Sequence, residues 1–147
     1  MNNYDYRVNL VDDYLKKLNL SNEIKEYYYG RNILVTGGAG AIGSNLVTAL
    51  SKLVGDDGMI IVLDNLSAIK GDEPIDLPPL SNMMFVNGDV RNDIDLKRVF
   101  REKPTIIFHL AAFFANQNSV DYPETSADVD IHGMIKLLDL AQFTDVD

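Results

Sequence analysis

Apolar positions along this chain change period repeatedly, and each change marks an element. Four short apolar runs, at residues 33–36, 59–63, 83–86 and 105–109, read as strands. Between them apolar residues recur every three or four positions, the spacing of one helical face. A helix is predicted over 41–53 with the stripe Ile42, Leu46, Leu50 and Leu53. A second is predicted over 93–101, with Asn92 as its cap and Asp95 at the third helical position. The last, over 124–143, carries the stripe Ile131, Met134, Leu138 and Ala141. Gly55, Asp56, Asp57 and Gly58 turn the chain into the second strand, and 67–81, with Pro74, Pro78 and Pro79 among scattered charges, reads as a loop.

Residues 1–30 stand apart from this alternation. Val8, Val11, Leu15 and Leu18 share one helical face, with Asp12, Asp13, Lys16 and Lys17 elsewhere around it. A second short helix runs from Ser21 or Asn22 to Tyr29 and stops at Gly30. The apolar stripe needs a surface, and its own domain is a simpler choice than another subunit. The chain is therefore divided into a helical appendage, 1–30, and an α/β domain, 31–147.

Strands separated by helices imply right-handed crossovers and a parallel sheet. The expected architecture is a Rossmann-type doubly wound sheet of about four strands in the order 3-2-1-4. Winding reverses between strands one and four, so a ligand belongs over their carboxyl ends.

A glycine-rich turn, Thr36-Gly37-Gly38-Ala39-Gly40-Ala41-Ile42-Gly43-Ser44, lies at that place. Gly37, Gly40 and Gly43 recur at spacing three, while Gly38, Gly40 and Gly43 satisfy G-x-G-x-x-G. A dinucleotide needs its pyrophosphate close to peptide N–H groups at a helix N-terminus, where unpaired donors and the dipole favour negative charge. The early glycines open that approach, Gly43 lets the helix pack on its strand, and Ala41 and Ile42 supply first-turn N–H groups. Asp64 ends the second strand twenty-one positions after Gly43, against an expected interval of about twenty. A carboxylate there accepts both hydroxyls of the adenosine ribose and repels a 2′-phosphate, which favours NAD over NADP. Asn65 beside it is assigned to the same ligand. No Arg in Asn65, Leu66 or Ser67 reverses the preference, although Lys70 is near.

After strand three, Asp89 is placed to receive the adenine amino group and Val90 to pack on the ring; an acidic turn residue is the alternative for Asp89. After strand four, Leu110, Ala111 and Ala112 let backbone pass close to ribose and pyrophosphate. His109 reads as structural. Phe113 to Ser119 crosses the mouth of the crevice, with Asn116, Asn118 and Ser119 as hydrogen-bonding groups for a polar ligand.

Composition narrows the field. The chain has 147 residues, 46% of them apolar, the size and content of one globular domain. Thirteen basic against twenty-two acidic residues give a formal charge of −9, without a basic cluster, so neither nucleic acid nor an anionic membrane is an expected partner. Cys is absent and His109 and His132 have no ligand spacing, so no metal site is expected. The N-terminus does not read as a signal peptide, and a cytoplasmic location is expected.

Together, residues 36–44, Asp64-Asn65-Leu66-Ser67, Gly88-Asp89-Val90 and His109-Leu110-Ala111-Ala112 resemble the extended short-chain dehydrogenase/reductase family, and within it the NAD-dependent sugar-nucleotide epimerases and dehydratases. The likeness spans about 31–143. The family's S-V-x-x-P and N-V-x-G-T patterns are traceable as Ser119-Val120-Asp121-Tyr122-Pro123 and Asp130-Ile131-His132-Gly133-Met134. Asp130 stands in place of the Asn that orders the family's central helix, Met134 in place of Thr, and Phe114 where many galactose-type 4-epimerases carry Lys.

The resemblance implies a sugar-nucleotide substrate and chemistry through a transient keto-sugar. In the family that chemistry belongs to a Tyr-x-x-x-Lys pair on the helix after strand five. The seven Tyr, at 4, 6, 14, 27, 28, 29 and 122, are followed four positions later by Val8, Leu10, Leu18, Arg31, Asn32, Ile33 and Ser126, none of them Lys. The expectation is an N-terminal piece of a longer enzyme that binds NAD and turns nothing over. Its fourth strand is then an uncovered edge, which predicts association into homo-oligomers. A carbonyl reductase of the same family and a non-catalytic dinucleotide-binding module are the alternatives.

Overall fold

The computed structural model describes residues 3–69, 75, 77–114 and 116–146. Lys70, Pro74, Ala115 and the side chain of Asn116 lie outside the described part. Elements follow the chain as α1 (Asn3–Leu18), α2 (Asn22–Tyr28), β1 (Asn32–Thr36), α3 (Ala41–Val54), β2 (Met59–Asp64), β3 (Met83–Asn87), α4 (Asp93–Phe100), β4 (Ile106–His109), α5 (Asn116–Asp121), α6 (Pro123–Ala127), a π-helical segment (Asp128–Gly133) and α7 (Met134–Ala141).

The four strands are parallel and ordered β3-β2-β1-β4, as the alternation predicts. Successive strand residues face opposite sides of a sheet. Leu34, Ile61, Leu63 and Val86 point to one side, where α4 brings Leu96, Val99 and Phe100 and α7 brings Leu137. Ile33, Val35, Ile60 and Val62 point to the other, against Val47, Leu50 and Val54 of α3. Burial on both faces explains why the strands read as continuous apolar runs rather than alternating ones. Each fully buried Leu or Ile contributes about 1.5–3 kcal/mol, so the site rests on a stiff platform.

Two helical stripes differ from expectation. In α3 the buried positions are Gly43, Ser44, Val47, Thr48, Leu50, Ser51 and Val54, so of the expected stripe Leu50 is buried, whereas Ile42 is 75% exposed. The predicted helix over 124–143 is instead α6, the π-helical segment and α7; Ile131, Met134 and Leu138 are exposed, and Gly133 and Leu137 are buried. The cause is the same in both. A glycine occupies the tightest contact, and a residue without a side chain leaves no mark in an apolar pattern. A Cβ on Gly133 would stand 2.8 Å from Val90 Cγ2.

At α4 the expectation holds: Asn92 Oδ1 accepts from the N–H groups of Ile94 and Asp95. The N-terminal helices pack on α3. Arg7 Nη1 donates to Ser44 Oγ (3.3 Å), Lys52 pairs with Asp12 (3.4 Å), and Gly30 N–H donates to the Val54 carbonyl (2.9 Å). Val8, Val11 and Leu15 are half-buried, while Tyr6, Leu10, Tyr14 and Leu18 are exposed. Among the described residues no helix is long and apolar enough to cross a membrane.

Candidate functional site

The register sets Thr36, the last residue of β1, beside Leu63 of β2 and His109 of β4. All the loops singled out in the sequence leave the sheet from this end. Gly37 makes the turn with φ of +68° and donates its N–H to the Leu63 carbonyl (2.8 Å). A Cβ on it would meet Ala111 N at 2.6 Å, so the loop after β4 lies directly on the turn. Gly43 is tighter still: its Cβ would lie 2.3 Å from the Gly37 carbonyl oxygen and 2.7 Å from Gly38 Cα. Gly40 differs. Its backbone is extended (φ −74°, ψ 173°), and an added Cβ would meet only the Gly37 oxygen, at 3.3 Å. As the N-cap of α3 it offers no side-chain hydrogen bond. The first-turn donors, on Ala41 and Ile42 among them, therefore carry no side-chain cap and suit an anion.

Asp64 faces this turn. Its Oδ2 accepts the Ala39 N–H (2.9 Å) and its Oδ1 accepts the Leu66 N–H (2.8 Å). The second bond holds Leu66 at φ +59°, a conformation uncommon outside glycine. An ionised carboxylate has about four acceptor positions. One is left on each oxygen, enough for two neighbouring hydroxyls.

Asp89 is differently placed. Arg91 holds it through Nε to Oδ1 (2.9 Å) and Nη2 to Oδ2 (2.8 Å), the Arg91 N–H adds a bond to Oδ1, and Asn65 Nδ2 adds one to Oδ2 (2.8 Å). The Arg91 hydrogen bonds keep the carboxyl far below the usual carboxylate range, against the opposing effect of burial. With four donors in place, an amino group reaches Asp89 only by displacing one, and the Asn65 amide is the one that does not come from Arg91. The Val90 side chain does not lie open to a ring: it is buried in the core beside Gly133. This corrects the ring-packing expectation, because the peptide after Asp89 is pulled inward by Arg91 N–H and by the Asp89 N–H bond to Asp95 (3.0 Å).

The β4 loop is fixed from both sides. The Leu110 N–H donates to the Thr36 carbonyl (3.0 Å), the Ala111 N–H to Thr36 Oγ1 (3.2 Å) and the Phe113 N–H to Asp130 Oδ1 (2.7 Å). Asp130 Oδ2 accepts Ser126 Oγ (3.0 Å), so a carboxylate here orders both the loop and its own helix. Phe113–Ser119 is not all loop, since α5 begins at Asn116; Asn118 Nδ2 is turned back to the Phe114 carbonyl (2.8 Å) and Phe114 is exposed.

Thr36 Oγ1 also lies 2.6 Å from His109 Nδ1. The direction of that bond follows the His109 tautomer: Oγ1 donates to a bare Nδ1, or accepts from Nδ1–H alongside the Ala111 N–H. Burial pushes the His109 pKa down, and the Asp130 carboxylate opposes this without reversing it. Between the folded value and the ordinary value near 6.5 the unfolded chain binds more protons, so stability rises with pH there. Urea unfolding should therefore show full stability above about pH 6.5 and a decline below it, and His109→Gln should flatten that part of the profile.

Sequence reasoning missed Arg91, Asp128 and Ser126 as partners. Arg91 bridges Asp89 to Asp128 (3.3 Å), and Lys136 reaches the Arg91 carbonyl (2.8 Å). The spacing Asp-x-Arg at 89–91 was the available signal. Among the described residues no group of three or more acidic or His side chains is placed to hold a metal.

A parallel sheet in this order, with a glycine turn at the reversal point and an acid closing the next strand, defines a dinucleotide-binding α/β unit. The profile of the GDP-mannose 4,6 dehydratase family matches residues 34–147, and the chain belongs to that family of sugar-nucleotide epimerases and dehydratases. It is 39% identical over 110 residues to a CDP-paratose 2-epimerase of Salmonella typhi, a match covering 73% of this chain and 31% of the relative. An epimerase structure from Methanothermobacter thermautotrophicus superposes with a TM-score of 0.76 and 46% identity, over 84% of this chain and 35% of the other. The UDP-glucose 4-epimerase of Thermus thermophilus, solved in complex with NAD, gives 0.65 and 33%, over 79% and 35%. The chain thus spans about a third of the length of the relatives it matches.

Proposed function

We propose that residues 31–147 are the NAD-binding portion of a sugar-nucleotide epimerase or dehydratase. The carrying observation is Asp64, whose oxygens each keep one acceptor position after bracing Ala39 and Leu66. The vicinal hydroxyls of an adenosine ribose fill those two positions. In this reading Gly37, Gly40, Ala41, Ile42 and Gly43 take the pyrophosphate. Asn65 and the Asp89–Val90 peptide line the adenine side. Leu110, Ala111 and Ala112 lie under the second ribose. Bound NAD supplies the hydride acceptor that lets a sugar carbon pass through a keto form.

The complete enzyme acts on a sugar nucleotide. The 147 residues alone contain no Tyr with Lys four positions later, so they bind NAD without turnover. Association of copies belongs to the same reading, supported by β4, an edge strand among the described residues, and by the exposed Ile131, Ile135 and Leu138.

Titration calorimetry tests the assignment. NAD is expected to bind more tightly than NADP, and Asp64→Asn, which puts an amide NH2 in place of one acceptor, is expected to weaken NAD by about tenfold or more. Equal affinity for both dinucleotides, or no effect of Asp64→Asn, would overturn it.

A further inference from the structure

We propose that α1 is a cofactor-affinity element, in which Arg7 acts as a positioning residue by holding the first turn of α3. The inference rests on the NAD reading above and adds a part of the chain outside the family match. The family match begins at residue 34, so α1 and α2 precede it.

Two bridges give α1 its direction. Arg7 meets Ser44 at the start of α3, and Asp12 meets Lys52 near its end. The helices therefore run side by side in the same sense, and the N-terminal part of α1 lies at the end of α3 that carries the glycine turn. Ser44 is not a surface residue: it is fully buried, its N–H donates to the Gly40 carbonyl (2.9 Å), and its own carbonyl accepts Thr48 Oγ1 (2.8 Å). A guanidinium bonded to Ser44 Oγ thus grips α3 one residue past Gly43. From the other side the same turn is seated by Gly43 against the Gly37 and Gly38 backbone.

Sequence explains why an outside anchor has value here. No Lys or Arg occurs between residues 37 and 51. That stretch brings no cationic side chain of its own to the pyrophosphate end of the site, so the placement of its peptide N–H groups matters, and helix ends fray unless tied. Donors that are already held in place lose less freedom when an anion binds.

The experiment compares NAD, ADP-ribose and adenosine binding to the 147-residue chain and to Arg7→Gln, Ser44→Ala and their combination, with melting temperatures in parallel. Adenosine reaches the Asp64 end but has no pyrophosphate. Each single substitution is expected to weaken NAD and ADP-ribose by about three- to tenfold, and the double substitution to weaken them no further, because both break one contact. Adenosine affinity should stay within about twofold, and Arg7→Lys should recover part of the loss. Unchanged NAD affinity in Arg7→Gln, an adenosine loss in step with NAD, or multiplying effects in the double variant would each overturn the proposal. If the unsubstituted chain takes up no NAD at all, the functional reading fails and this one with it; if it does bind, only the inference about Arg7 is at stake.

Discussion

Gly40→Val is expected to leave the chain folded and to weaken NAD binding by about 100-fold or more. The two halves of this outcome have separate causes. Residue 40 sits in extended backbone that valine adopts without strain, and its Cβ would press only on the Gly37 oxygen at 3.3 Å. Replacing a tolerated N-cap glycine by valine costs about 1 kcal/mol, a few degrees in melting temperature for a chain of this size. On the ligand side, two methyl groups would stand in front of the α3 N–H donors and hold a phosphate away. Losing two charge-assisted hydrogen bonds removes roughly 3 kcal/mol or more. Thermal unfolding with calorimetry reads both quantities. Retained NAD affinity would show that the pyrophosphate does not lie over this turn.

Much of this fold was legible because its signals are local. Strands buried on both faces read as unbroken apolar runs, the Pro and Gly clusters fall between them, and one strand–helix alternation leaves few sheet orders to choose from. Helix phase was not legible. At Gly43 and Gly133 the closest packing is made by the absence of a side chain, so the neighbouring Ile42 and Ile131 suggested a stripe that the structure turns outward. The π-helical segment compounded this, since a wider turn breaks the period by which a stripe is read.

The site divided in the same way. Asp64 and the glycine turn could be placed from spacing alone, because a strand end and a helix start are sequence features. Their partners could not. Thr36 and His109 are 73 positions apart, Phe113 and Asp130 are joined across two helices, and Asn65 links one strand's loop to the next. Asp89 shows the consequence. Its position after β3 suggested an open acceptor, yet Arg91, two residues later, saturates it together with Asn65. Whether a carboxylate has room for a ligand depends on donors that arrive through tertiary structure. The role of Asp130 is also visible only there, because its two oxygens accept hydrogen bonds from Phe113 and Ser126.

Gly43→Ala should reverse the usual sign of its kind. In the interior of an ordinary helix, alanine is more stable than glycine by about 1 kcal/mol. Here the added methyl would lie 2.3 Å from the Gly37 oxygen and 2.7 Å from Gly38 Cα, and both obstacles are backbone. Neither can rotate away, so α3 must lift from the sheet. That movement loosens Val47, Leu50 and Val54 against Ile33, Val35, Ile60 and Val62 along the same face. Overpacking and the lost contacts together should lower stability by about 3 kcal/mol, or roughly 6–12 °C in melting temperature at this chain length. NAD affinity should fall as well, but only in company with the fold, which separates this variant from Gly40→Val. Urea and thermal unfolding followed by circular dichroism measure the effect. A neutral or stabilised Gly43→Ala protein would mean that α3 is seated on its strand by some contact other than the glycine.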